Sequence, residues 1–275
     1  MPELPEVETV CIGLQEVVGK TVDHIELLDA GRGVKIGSDE ISGFLISGVQ
    51  RYGKYIIFEL KGSSGPLNMI SHLRMTGQYI PVSADEIDSK MHKHSSVVFH
   101  FKDGSYLLFN DQRKFGTMEL ISPMEMKEYF ASRKLGPDAL LELPSFNGFL
   151  KLMNKKPKLA VKTALFDQSI LMGLGNIYAA ELCFIAAVHP ATAVAAVPET
   201  KMRLIHAAIV PLLKKAIEFN GTTFDGKYVD AKGDAGEFSQ FLKVYGQKSC
   251  RICASDIVKI KLNGRGTYYC DKCQR

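Results

Sequence analysis

Cys250-x2-Cys253 and Cys270-x2-Cys273, with sixteen residues between the pairs, constrain the end of this 275-residue chain more tightly than any other feature. Each pair can form a knuckle that offers two thiolates to one ion, and the intervening stretch is long enough for a β-hairpin. The spacing therefore predicts a tetrahedral four-cysteine zinc site. Four thiolates leave no open coordination position, so the expected ion is structural rather than catalytic. Disulfides are the competing reading; the chain does not open with a basic stretch followed by an apolar one, which makes a reducing cytoplasm the expectation. The segment between the knuckles, "IVKIKLNGRGTYY", carries Lys259, Lys261 and Arg265, with Gly264 and Gly266 flanking the arginine. Residues 248–275 hold seven basic and two acidic side chains, and even after four thiolates on one zinc contribute −2 the module stays basic. A nucleic acid fits such a module, with Arg265 placed to enter a groove or clamp a phosphate.

Charge is unevenly spread along the rest of the chain. The net value of +4 divides into −5 over residues 1–130, with 13 Lys/Arg against 18 Asp/Glu, and +9 over residues 131–275, with 21 against 12. A basic half joined to an acidic half suggests a polyanionic partner. The length predicts two domains, and the absence of an apolar run near 20 residues argues against a membrane span.

Hydrophobic spacing gives the expected order of elements. Val7, Val10, Cys11, Leu14, Val17 and Val18 recur every three or four residues, which predicts an amphipathic helix with acidic residues in its first turn. From about residue 21 to 121 the pattern becomes short β-branched and aromatic runs such as "YIIFEL", "SVVFHF", "SYLLF" and "TMELI", separated by Gly, Asp, Ser and Asn. That predicts an antiparallel sandwich or barrel. Residues 128–143, including "RKLGPDAL", read as a linker, and "PETKMRLIHAAIVPLLKKAIEF" (198–219) as a helix stopped by Asn220-Gly221. The Gly- and Asp-rich stretch 222–240 is expected to be a long mobile loop. Cys11 and Cys183 lie in helical patterns and are expected to be buried thiols.

Three further stretches carry candidate chemistry. In "LMGLGNIYAAEL" (171–182), a Gly-x-Gly turn precedes Asn176 at a helix start, where backbone N–H groups can bind phosphate; glycine-mediated helix packing explains the same residues. In "DQRKFG" (111–116), Arg113, Lys114 and Phe115 form a basic–aromatic loop that could wedge into a base stack, with Met75 of "SHLRMTG" as a second wedge. Partial burial in a core is the alternative for both apolar residues. Lys54, in "RYGKYIIFEL", stands just before a strand.

Together these stretches resemble the formamidopyrimidine-DNA glycosylase family of bacterial base-excision repair enzymes. PELPEVET at the start, GKY at 53–55, HLRMTG at 72–77, DQRKFG at 111–116, LGPD at 135–138, GLGNIY at 173–178 and the zinc hairpin occur in the family's order, across essentially the whole chain. The resemblance implies an α+β fold: an N-terminal helix on a β-sandwich (1–130), a linker (131–143), a helical domain with a helix–two-turn–helix motif (144–240) and a zinc finger (241–275), with DNA between the domains. It implies Pro2 as nucleophile, Glu3 as its acid/base partner and Lys54 as a catalytic or phosphate-contacting lysine. Met75, Arg113 and Phe115 match the family's void-filling residues. Lys162, Asn176 and Arg265 match its phosphate contacts, and His94 is placed among the DNA-binding residues. Cys250, Cys253, Cys270 and Cys273 would hold one zinc. The 222–240 loop would close over an extruded base. The implied partner is damaged double-stranded DNA, engaged by a cytoplasmic bacterial monomer.

Some positions depart from that pattern. "KHSSV" (93–97) places Ser96 where a second histidine is usual, the segment from Tyr245-Gly246 to Cys250 is two residues short, and Ala254 follows Cys253 where glycine is common. The implied activity is excision of oxidised purines with abasic-site cleavage. An oxidised-pyrimidine glycosylase of the endonuclease VIII type and a non-catalytic DNA-binding protein are the alternatives. PELPEVET, rather than a PEGPE-type start, argues against the former.

Overall fold

The computed structural model describes residues 1–91, 93–223, 231 and 233–275. The chain divides into two compact units, one comprising residues 1–131 and 219–237, the other residues 132–218 and 238–275. Residues 224–230 and 232, within the stretch expected to form a long loop, lie outside the described residues.

The first unit begins with helix α1 (Leu4–Gly13). Pro5 stands at an early helical position, where its missing N–H costs nothing. Strands β1 (Val22–Leu27), β2 (Val34–Lys35), β3 (Leu45–Tyr52), β4 (Tyr55–Gly62), β5 (Gly65–His72) and β6 (Gly77–Val82) follow. A short helix, α2 (Ile87–Lys90), precedes β7 (Ser95–Phe101), β8 (Tyr106–Asp111) and β9 (Thr117–Ile121). They form a four-stranded sheet in the order β1-β7-β8-β6 and a five-stranded sheet in the order β2-β9-β5-β4-β3. All neighbours are antiparallel except the short β2–β9 pair. The expected sandwich is present, closed by Ile56, Phe58, Met69, Tyr79, Val97, Phe99, Leu107 and Phe109, with Val7 and Val10 of α1 and the following Leu14 packed into the same core. In the run "SVVFHF" burial is nearly continuous: residues 95–99 are all buried, leaving only His100 partly exposed before Phe101.

Helix α3 (Met126–Ser132) ends the run of strands. The second unit is built on α4 (Phe146–Met153), α5 (Val161–Phe166), α6 (Asn176–Ile185) and α7 (Glu199–Glu218). Helix α7 stops where the sequence predicted, with Asn220 and Gly221 both at positive φ. The two-turn connection from α5 to α6 is braced by Gln168, which accepts from Gly173 N and donates to Leu174 O at 3.0 and 2.7 Å.

The C-terminal module is a hairpin of β10 (Val258–Leu262) and β11 (Arg265–Tyr269), turned by Asn263 and Gly264 at φ 47° and 77°. Positive φ at both turn residues is the geometry whose twist matches paired strands. The four Sγ atoms of Cys250, Cys253, Cys270 and Cys273 lie within 4.8 Å of one another. The Cys250–Cys273 and Cys253–Cys270 separations are 3.8 and 3.4 Å. These values are close to the edge of about 3.8 Å expected for a tetrahedron of thiolates around zinc, and far from a sulfur–sulfur bond. The donor set therefore fits one structural zinc, as the spacing predicted.

Ala254 closes the first knuckle, its N–H donating to Cys250 O at 2.9 Å, and it sits at φ 57°. A Cβ in that region carries a steric cost that glycine avoids. Ala254→Gly is expected to stabilise the zinc module by about 1 kcal/mol, read as slower zinc loss to a chelator and a higher urea midpoint.

Candidate functional site

The N-terminus is held by hydrogen bonds to one buried carboxylate. Glu3 caps α1 and is 2% exposed; its N–H donates to Glu6 Oε2 at 2.8 Å. The other oxygen of Glu6 accepts from Thr222 N, also at 2.8 Å. A Cβ on Gly221 would lie 2.8 Å from Glu6 Oε1, and Gly221 has φ 74°, so glycine is needed there on both counts. Glu6 thus fixes the start of α1 against the strand-like residue Thr222, which bridges to Glu237. In the sequence Glu6 and Glu8 read simply as first-turn acids favoured by the helix dipole; Glu6 is instead a backbone clamp and Glu8 an ion-pair partner. Pro2 is buried beside Glu3.

Lys54 occupies the second residue of the two-residue turn between β3 and β4, after Gly53 at φ 60°. A glycine with positive φ at the first turn position suits this tight hairpin. Lys54 is 4% exposed. The next strand ends at His72, whose ring meets Tyr55 edge-on at 4.8 Å and whose Nδ1 accepts from Arg74 N at 2.9 Å. With Nδ1 accepting, the neutral ring carries its proton on Nε2. Burial, then the cationic Arg74 and Lys54, push the His72 pKa down to about 3. His72 opens the HLRMTG stretch; a polar residue at a strand end is a weak signal on its own.

The wedge candidates come together within the first unit. Asp111, 2% exposed, accepts from Thr76 Oγ1 at 2.5 Å, Arg113 N at 3.2 Å and Gly116 N at 2.7 Å. These bonds shape the loop from β8 to β9. On it Arg113 places one guanidinium nitrogen 3.0 Å from Met75 Sδ and its carbon 4.9 Å from the Phe115 ring centre. Met75 and Phe115 are 36% and 53% exposed, so neither is a core residue. Lys114 pairs with Asp29. His94 precedes β7, and its carbonyl accepts from Asp111 N at 2.9 Å, at the base of the same loop.

The second unit places Lys162, Asn176 and Arg265 around the start of α6. Asn176 Nδ2 donates to Gly266 O at 2.9 Å and to the Tyr245 hydroxyl at 3.2 Å, while its Oδ1 accepts from Lys162. Lys162 also donates to Thr267 Oγ1 at 3.0 Å and is 1% exposed. Its ammonium therefore orients Asn176 and β11 rather than facing solvent. Arg265 is exposed, with its guanidinium 5.9 Å from the Phe166 ring centre. Glu181 of α6 accepts from the backbone N–H groups of Lys243, Val244 and Tyr245 at 2.8–3.0 Å, which anchors the chain leading into the zinc module. Burial pushes the Cys183 thiol up to about 12 and raises Cys11 further, as suits inert core residues.

Three family models match the chain. The formamidopyrimidine-DNA glycosylase N-terminal domain matches residues 1–118, the formamidopyrimidine-DNA glycosylase H2TH domain residues 135–227, and a zinc finger found in FPG and IleRS residues 247–275. A formamidopyrimidine-DNA glycosylase of Listeria monocytogenes is 38% identical, with all of both chains covered. One from Streptococcus pyogenes is 40% identical over all of this chain and 99% of its own. Lactococcus lactis Fpg in complex with DNA containing an abasic site superposes with a TM-score of 0.89 at 36% identity, covering 99% of each chain. The same enzyme with DNA containing an oxidised pyrimidine gives 0.88 at 36% identity over 100% of each. Among the described residues, no helix is long and apolar enough to cross a membrane.

The buried neutral imidazole has a measurable consequence. Unfolded, His72 takes up a proton near pH 6.5, whereas folded it stays neutral to about pH 3. Between these values the unfolded state binds more protons, so stability falls as pH falls through the window. In urea titrations from pH 6 to 4, His72→Gln is expected to flatten the loss of stability with acid by about one proton.

Proposed function

The chain belongs to the formamidopyrimidine-DNA glycosylase family, and from that premise we propose that Pro2, Glu3 and Lys54 carry the reaction at the buried start of α1. The protein is a DNA glycosylase and abasic-site lyase of base-excision repair, acting on oxidised purines such as 8-oxoguanine and formamidopyrimidines. The observation that carries the assignment is the burial of Pro2 and Glu3 at a helix start fixed by Glu6, whose two oxygens accept from Glu3 N and Thr222 N.

The chemistry follows from an amine of that kind. While Met1 is attached, the Pro2 nitrogen is an amide with no nucleophilic lone pair; its removal leaves a secondary α-amine, which titrates near pH 8 and has a useful unprotonated fraction at neutral pH. That nitrogen attacks the anomeric carbon of the damaged nucleotide as the base departs. The adduct opens to an iminium that is permanently charged, since a secondary amine has no second proton to lose. It draws electrons from the neighbouring 2′ position, so a proton leaves there and the 3′ phosphate is eliminated, followed by the 5′ phosphate. Glu3 protonates the ring oxygen as the sugar opens and carries protons afterwards.

The remaining residues serve the DNA. Met75, Arg113 and Phe115, already grouped and exposed, suit the gap left when a nucleotide leaves the stack. Arg265 and the start of α6 suit the phosphate backbone, with Asn176 oriented there by Lys162. His94 contributes from the base of the wedge loop. The zinc holds the hairpin that carries Arg265, and the protein works as a monomer in the bacterial cytoplasm, associated with the nucleoid while on DNA.

Borohydride trapping tests the reading. The protein lacking Met1 is expected to become covalently linked to duplexes containing 8-oxoguanine or an abasic site. Intact-mass confirmation that Met1 is absent, with no adduct formed, sinks the lyase chemistry. A thymine-glycol duplex belongs in the same experiment, because the Lactococcus relative is seen with an oxidised pyrimidine; faster trapping on it than on 8-oxoguanine would reverse the assigned preference. Pro2→Gly keeps a free amine but a primary one, and is expected to slow excision while leaving DNA affinity within about threefold.

A further inference from the structure

Glu8 lies on α1, five residues beyond the cap Glu3, and its carboxylate accepts from Arg51 Nε at 2.5 Å. The Arg51 side chain is 1% exposed and that of Glu8 30%. A second guanidinium nitrogen, Nη1, donates to Gly53 O at 3.1 Å. Gly53 and Lys54 are the two turn residues of the β3–β4 hairpin, and Tyr52 and Tyr55 face each other across it. One guanidinium therefore grips both the helix whose start holds Pro2 and Glu3 and the turn that presents Lys54. Gln15, just beyond α1, donates to Val49 O at 2.9 Å, fixing the far end of this segment onto β3; the Glu8–Arg51 pair is the tie nearer the N-terminus.

We propose that Glu8 and Arg51 are positioning residues for the reaction, setting Lys54 relative to Pro2 and Glu3. This rests on the catalytic reading of those three residues. A buried cation left without its carboxylate is costly, so the pair has one arrangement in which both helix and turn are satisfied. The Gly53 carbonyl bond requires the fork of the guanidinium, with one nitrogen on the carboxylate and another on the turn; a lysine ammonium keeps the charge but cannot reproduce that planar span. Small displacements of a group aligned with a reacting centre cost rate far more than they cost affinity.

The test compares wild type, Arg51→Lys, Glu8→Gln and the double variant, all lacking Met1 and measured well below their unfolding temperatures. Single-turnover trapping on an abasic-site duplex reports chemistry, and binding to a duplex with an uncleavable tetrahydrofuran site reports affinity. Arg51→Lys is expected to slow trapping about tenfold with affinity within twofold. Glu8→Gln is expected to slow it less, and the double variant no more than Arg51→Lys alone, since both act through one contact. Trapping within twofold of wild type in folded Arg51→Lys, or affinity falling as much as rate, overturns the proposal. Should Arg51→Lys not fold, Glu8→Gln decides on the same ratio of rate to affinity: a rate loss exceeding the affinity loss supports positioning, and equal changes overturn it. If wild type itself gives no adduct, the catalytic reading fails and takes this one with it. If wild type is trapped and the variants match it, only the positioning role falls.

Discussion

Glu6 accepts backbone N–H groups from Glu3 and Thr222, residues far apart in the chain, and the arrangement of the N-terminal site depends on that one carboxylate. A buried N–H outside a helix or sheet must find an acceptor, or the fold bears the cost of desolvating it. Carboxylates meet this need well because each oxygen can accept more than one bond, and bonds to a charged acceptor are the stronger kind. The same device recurs. Asp111 shapes the wedge loop, Asp138 accepts from Leu140 and Leu141 within the linker stretch, and Glu181 accepts three amides in a row. All four residues are nearly or fully buried. Irregular segments carry the candidate chemistry, and buried acids give these segments single conformations.

This arrangement also changes how the acidic balance of the first 130 residues is understood. A net −5 looks unsuited to a protein that meets a polyanion. Glu3, Glu6 and Asp111, however, are buried, and Glu6 and Asp111 are occupied by backbone donors. Lys54 and His72 are buried as well, while the exposed Arg113 stands over Phe115. The local field at the wedge loop is set by where the charges and their partners lie rather than by the sum over the chain.

Much of the fold was legible because it depends on period and spacing. Three-four recurrence gave α1, β-branched runs gave the sandwich, Asn220-Gly221 stopped α7, and the paired cysteines gave the zinc geometry. Long-range hydrogen bonds leave no periodic trace. Nothing in "PELPEVET" shows that Glu6 reaches Thr222 or that Glu8 reaches Arg51, and the helix dipole accounts for both acids without either contact. The grouping of residues 219–237 with the first unit was hidden for the same reason, since it follows from packing and not from composition. The sequence did supply the residue types of the wedge, from three separate motif positions. It could not show one guanidinium touching both Met75 sulfur and the Phe115 ring, because that depends on Asp111 bending the loop.

Lys162 is a buried cation whose charge acts on its surroundings without reaching the surface. Its ammonium is satisfied by Asn176 and Thr267, and at 1% exposure it has little access to a phosphate. Yet burial reduces screening, so its charge is felt further at the start of α6 than that of a solvated lysine would be. The helix dipole places partial positive charge at the same point, and Arg265 adds an exposed cation on the adjoining hairpin. Because Thr267 and Gly266 belong to that hairpin, the bonds that satisfy Lys162 and Asn176 also fix β11 onto α6. The zinc holds the base of the hairpin and Lys162 holds its side, so Arg265 projects from a segment fixed at two places. A side chain on so fixed a base would lose less entropy on meeting any ligand than one on a mobile loop.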